Sequence, residues 1–197
     1  MEILYAGEEA YTKLMDGNKR FVSGSLSPKD VGDIKRKELA KGQHPFAIVV
    51  TCSDSRVAPE IIFDQGLGDL FVIRVAGNVV DPVALGSIEY AAEHLHTPLL
   101  IILGHTHCGA VTAAVDSKGK PEGNIGAIVK KILPAVKKAK GGSREEIISN
   151  AIKENVLLVE REIEKNSPVL KHLIEKGELK VVSAIYDISS GSVEVIK

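Results

Sequence analysis

Between residues 6 and 24 apolar side chains recur at helical spacing, with Tyr11, Leu14, Met15 and Phe21 on one stripe, which predicts an amphipathic helix. Gly24 and Pro28 punctuate that stretch, and a second helix is expected over 30–41, stopping at Gly42. The period then changes. Residues 46–51 form a short unbroken apolar run rich in β-branched side chains, which reads as a buried strand. Residues 70–75 and 98–103 repeat that signature, the latter ending at Gly104. Between these two runs the pattern predicts a helix, with Asp81 as its cap, Pro82 in its first turn, and Leu85, Ile88, Ala92 and Leu95 on one face. Further helices are expected over about 123–139 and 145–176, broken near Pro168. A late strand covers 179–187, and Ser190-Gly191 turns it into a last one over 193–196.

Strands separated by helices predict an α/β fold. Its central sheet is expected to be mainly parallel (about four parallel strands plus an antiparallel edge strand) and flanked by helices. With no repeat, low-complexity tract or linker in the chain, residues 1–197 are expected to form a single domain. Ligands of such sheets bind at the carboxyl ends of the strands. That rule selects 52–56 after the first strand and 105–108 after the third, and the two meet if those strands are neighbours.

Composition narrows the function classes. The chain has 197 residues, enough to bury a substantial core, and is 44% hydrophobic and 26% charged, ordinary values for a globular protein. A formal net charge of −1 and the lack of a basic cluster interleaved with aromatics argue against a nucleic-acid partner. No apolar run approaches the ~20 residues of a membrane span. The N-terminal residues carry acids where a secretory signal needs a basic start, so a cytoplasmic location is expected.

There are two cysteines, Cys52 and Cys108, too few for a disulfide scaffold. Both lie in the selected segments, in company with Asp54, Arg56 and His105. Two cysteines and a histidine are good zinc ligands, and three protein ligands leave a fourth position open. His105 and Cys108 sit three apart at a strand-to-helix corner, so both can face one point. On residue types alone, a zinc site and two buried bystander cysteines both stay open. Other chemistries lack their patterns: there is no Cys-x-x-Cys, no His-Glu-x-x-His and no deaminase signature, and Gly66-Leu-Gly68 does not continue into a phosphate loop.

Cys52-Ser-Asp-Ser-Arg56 after a strand, with Gly104-His-Thr-His-Cys-Gly109 some fifty residues on, resembles the signature of the β-class carbonic anhydrases. The likeness extends to Gly17-Asn-Lys-Arg-Phe21, Phe63-Asp-Gln-Gly66, Arg74-Val-Ala-Gly-Asn78 and Ala184-Ile-Tyr-Asp187. The resemblance implies one Zn2+ per chain on Cys52, His105 and Cys108. It implies reversible hydration of carbon dioxide to bicarbonate and a proton by a zinc-bound hydroxide, with Asp54 and Arg56 as the catalytic pair. In some members the aspartate becomes a fourth ligand in a closed state; here the open pairing of Asp54 with Arg56 is expected. The plant-type branch implies a carbon dioxide pocket from Gln43, Phe71 and Tyr90, completed by the Gly109 amide, and a proton shuttle at His94. Taken singly, Phe71 reads equally as core, Tyr90 as a packing residue, and Gln43 and His94 as solvated positions. Another branch has an inhibitory bicarbonate pocket built on a tryptophan three residues before the first zinc cysteine. That position is Val49 here, although Arg74 matches the pocket's arginine. The family also implies a homodimer, possibly a tetramer, in which the N-terminal helix extends onto the partner and the apolar face of residues 6–21 is interface.

Overall fold

The computed structural model describes residues 2–117 and 123–196, with side chains from residue 6 onward. Helix α1 (Glu2–Val22) and the short α2 (Asp33–Leu39) precede β1 (Ala47–Thr51). Then come α3 (Pro59–Ile62), β2 (Leu70–Arg74), a one-turn helix over Ala76–Asn78, and α4 (Pro82–Glu89), which runs on into a π turn over Tyr90–His94. The chain continues through β3 (Leu99–His105), α5 (Gly109–Asp116), α6 (Ile125–Lys138), α7 (Arg144–Asn166), α8 (Pro168–Glu175), β4 (Lys180–Tyr186) and β5 (Val193–Val195). No helix among the described residues is long and apolar enough to cross a membrane.

The strands form one five-stranded sheet in the order β2-β1-β3-β4-β5. The first four are mutually parallel and β5 is the antiparallel edge, as the sequence pattern predicts. β1 and β3 lie inside the sheet, and every residue of both is buried, which is why they read as unbroken apolar runs. Successive side chains still alternate between faces. Ile48, Val50, Leu100 and Ile102 pack with Ile88, Val156 and Leu170 from the α4, α7 and α8 side. Val49, Leu99, Ile101 and Leu103 pack with Leu14 and Phe63 on the α1 and α3 side. Each such fully buried side chain stabilises the fold by about 1.5–3 kcal/mol. A third cluster, including Val111, Val129, Ile132 and Ala151, closes around Cys52 and Cys108.

Capping explains where several helices begin. Asp81 accepts from the Ala84 amide at 2.8 Å. Ser143 and Glu146 cap α7 reciprocally. Ser167 ends α7 and caps α8 through the Leu170 amide, so the break near Pro168 falls where the sequence puts it. Periodicity does not predict α3, four residues long, or the π turn, whose single extra residue leaves the Ile88, Ala92 and Leu95 stripe intact.

One expectation is corrected. The apolar face of α1 lies on the chain's own sheet: Ala10 and Leu14 are buried there, with Tyr11, Met15 and Phe21 packed alongside. A Cβ on Gly17 would come within 1.7 Å of the Phe63 carbonyl oxygen, so the helix backbone crosses the end of α3 at contact distance. Asn18, also buried, donates to the Ile62 and Gly191 carbonyls and accepts from the Val193 amide. Among the described residues, the first large apolar side chains left exposed are Val22, Leu26, Val31 and Ile34.

Candidate metal centre

β1 and β3 pair with Thr51 opposite Leu103, so the chain leaves both strands at one level of the sheet. Cys52 is the first residue past β1, His105 is the last residue of β3, and Cys108 is the residue from which α5 springs. The Cys52 and Cys108 sulfurs and a His105 ring nitrogen lie within 4.8 Å of one another, and all three residues are buried. The His105 Nδ1 stands 2.8 Å from the Thr106 carbonyl, which assigns the ring proton to Nδ1. Nε2 is left bare and buried, without a hydrogen-bond partner among the described residues. A buried lone pair with no donor is costly unless something else accepts it. Two thiols and one bare imidazole nitrogen around a common point match the donor set of zinc, with a fourth position to spare.

The sulfurs share a proton. A hydrogen bond from Cys108 pulls the Cys52 thiol down to about 4 against the opposing effect of burial, with help from the Gly77 amide. The same bond, together with burial, pushes the Cys108 thiol far above the ordinary thiol range. Thiols ligate a metal as thiolates, so a dication bound between these two sulfurs would displace their protons.

Asp54 stands beside this cluster, with Oδ2 3.9 Å from His105 Nε2. Arg56 holds it in a two-pronged grip, Nε to Oδ1 at 2.9 Å and an Nη to Oδ2 at 2.7 Å, and its backbone amide adds a third bond at 3.0 Å. This grip keeps the Asp54 carboxyl well below the usual carboxylate range. Arg56 also donates to the His107 carbonyl, joining the two corners of the site. Arg74, at the end of β2, donates to the Cys52 carbonyl at 3.1 Å and the Asp54 carbonyl at 2.7 Å. Its guanidinium thus braces the loop between the two residues. The lone cation in an otherwise apolar strand was the available signal for this role.

Gln43, Phe71, Tyr90 and His94 lie apart from the cluster of their own chain. Gln43 is exposed and lies before the amino end of β1, whereas Cys52 follows its carboxyl end, and the strand between them spans about 16 Å at 3.3 Å per residue. Phe71 is opposite Ile48, near the start of the edge strand β2. Tyr90 packs against Phe71, with ring centroids 6.2 Å apart, and His94 against Tyr90 at 5.6 Å. These three rings form a row of their own on the β2 side. Gly109 opens α5 next to Cys108, with open space where a side chain would project. His107 has a left-handed backbone (φ 57°), and its residue borders a cavity of about 460 Å³ with Thr112, Arg144 and Ile185.

A mainly parallel open sheet in which two neighbouring interior strands lead into a Cys–His–Cys cluster, beside a clamped carboxylate, defines a metal-site α/β protein. Residues 47–193 match the profile of the carbonic anhydrase family, and the chain belongs to its β class. It is accordingly an enzyme. It is 39% identical to a carbonic anhydrase of Mycolicibacterium smegmatis over 94% of this chain and 91% of that one. It is 40% identical to carbonic anhydrase 2 of Mycobacterium tuberculosis over 92% of this chain and 89% of that one. Among solved structures, a Coccomyxa β-carbonic anhydrase in complex with acetazolamide superposes with a TM-score of 0.75 at 26% identity, covering 81% of this chain and 75% of that one. A tetrameric β-carbonic anhydrase of Sordaria macrospora superposes with a TM-score of 0.73 at 27% identity, covering 82% and 85%.

Proposed function

We propose that this chain hydrates carbon dioxide reversibly to bicarbonate and a proton, using one zinc ion per chain held by Cys52, His105 and Cys108. The observation that carries the reading is the bare, buried Nε2 of His105 facing two thiols, with a clamped carboxylate alongside. Zinc at such a site supplies a water whose pKa falls from 15.7 toward 7, and hence a nucleophile. The thiolates of Cys52 and Cys108 offset both charges of the ion, so activity is expected to rise toward alkaline pH. Asp54, held ionised by Arg56, would accept a hydrogen bond from the attacking oxygen and so orient that oxygen toward the substrate. The backbone amide of Gly109, the first residue of α5, would donate to the oxygen on which charge develops.

Carbon dioxide is small and apolar, and Phe71 and Tyr90 suit it as walls, with Gln43 as a polar end. Since these residues are remote from the cluster of their own chain, they serve the site of a second copy docked along the β2 edge. Support comes from the surface there. Helix α2 has no buried residue, and Ile34 is 83%, Val83 78% and Tyr90 46% exposed.

The test is stopped-flow carbon dioxide hydration alongside zinc analysis. One zinc per chain is expected, lost together with activity in Cys108→Ala. Asp54→Asn should keep the zinc and lose hydration by about 10²-fold or more. A zinc-loaded wild-type protein without hydration activity would refute the proposal.

A further inference from the structure

Cys52 has a neighbour that the metal cluster does not include. The backbone amide of Gly77 donates to the Cys52 sulfur at 3.2 Å. Gly77 sits in the one-turn helix after β2 with a left-handed backbone (φ 69°), a conformation that suits glycine. A Cβ there would also come within 2.7 Å of Ile132 Cδ1 and 3.1 Å of Ala110 Cβ. The carbonyl of the same residue accepts from Asn155 Nδ2 at 2.8 Å. Asn155 comes from the middle of α7 and is 1% exposed. Its own Oδ1 has no hydrogen-bond partner among the described residues. An amide buried with half its polar atoms unmatched is a poor choice for packing alone, since an apolar residue of that size avoids the loss. What the amide gains is its single bond, to Gly77.

We propose that Asn155 is a positioning residue for the metal centre: by holding the Gly77 carbonyl it aims the Gly77 amide at Cys52 Sγ, and so sets how strongly that sulfur donates to a bound metal. Hydrogen bonds to a ligating sulfur draw electron density from it and fix its direction, and such outer partners govern metal affinity. Without the Asn155 donor the Gly77 carbonyl loses its only side-chain partner among the described residues, and the left-handed turn loses the tie that fixes its rotation. The inference rests on the metal-binding reading above.

The experiment uses Co(II) and Zn(II) as probes on the full chain. Sulfur-to-cobalt charge-transfer absorption reports the electron density on the thiolates, and competition with a chromophoric chelator gives zinc affinity. Asn155→Leu, near in volume, should move the charge-transfer band to longer wavelength as the sulfur regains density, and weaken zinc binding by about tenfold as the sulfur's direction is no longer fixed. The control, Val159→Ala, removes buried packing from the same helix; it should lower Tm and leave band and affinity at wild-type values. A wild-type band and affinity in Asn155→Leu would overturn the proposal, as would equal changes in Val159→Ala. If Asn155→Leu does not fold, Asn155→Ser carries the same test, with an unmoved band again counting against it. A wild-type protein that takes up no Co(II) at all would remove the metal reading, and this inference with it.

Discussion

His94 is exposed and packs at a tilt against Tyr90, which is in turn packed on Phe71. If that row forms the wall of a partner's site, His94 lies at its mouth, where the proton of each hydration must leave. Histidine suits such a relay because its ordinary range spans neutral pH. His94→Ala should therefore lower kcat in dilute buffer, leave kcat/KM nearly unchanged, and recover in concentrated imidazole-type buffer. An unchanged kcat in dilute buffer would take His94 out of the reaction. Residues of this kind differ in how openly the sequence displays them. Cys52, Asp54, Arg56, His105 and Cys108 are legible because each lies within a few residues of a strand end, and strand ends can be read from apolar runs. Gly77 and Asn155 are not, because their link to Cys52 runs through a left-handed turn and a helix 78 residues further on. Asn155 is one polar position among many in α7.

The elements around the sheet are held by a buried carboxylate at the corner after α3. Asp64 has a left-handed backbone (φ 50°) and a side chain 2% exposed. Burial alone raises its pKa, but Lys29, Arg20 and Ser27 together outweigh that and hold it well below the ordinary 3.8. These partners belong to the end of α1 and the segment after it, so Asp64 fastens that segment to the sheet's edge. A carboxyl depressed on folding contributes stability that is complete above its unfolded pKa and fades as pH falls through the folded value. Asp64→Asn should thus cost about 2 kcal/mol at pH 7, below the 3–5 kcal/mol of a fully buried pair, because Arg20 and Lys29 retain partial access to water. In urea unfolding the gap from wild type should narrow below about pH 4; a gap constant to pH 3 would contradict the assignment. The latch itself was not evident from the sequence, although Phe63-Asp-Gln-Gly66 stood out as a motif. The strands were evident because a central parallel strand must be apolar throughout. Helix ends were less so, since α2 begins at Asp33 rather than residue 30 without a side-chain cap to mark it.

For the whole molecule the decisive question is which chain supplies the pocket. Cys52→Ser leaves the Gln43, Phe71 and Tyr90 surface intact but removes a ligand. The double variant Phe71→Ala/Tyr90→Ala does the reverse. Each alone should be nearly inactive. Co-refolded in equal amounts, they should regain about a quarter of wild-type activity, since half the dimers are mixed and each mixed dimer has one complete site. No recovery would mean that the pocket and the cluster act within one chain. The sheet order bears on assembly in time as well. Cys52 and His105 are brought together by the parallel pairing of β1 with β3, two segments whose joining closes a long loop, a slow step in folding. The ligand set therefore cannot exist before the middle of the sheet does. A metal ion arriving during synthesis finds nothing to bind until the hardest step is over, so it is expected to act as a lock and not as a template. Zinc in the buffer should slow unfolding while leaving the refolding arm of the chevron in place, and a refolding rate that climbs with zinc would reverse that order.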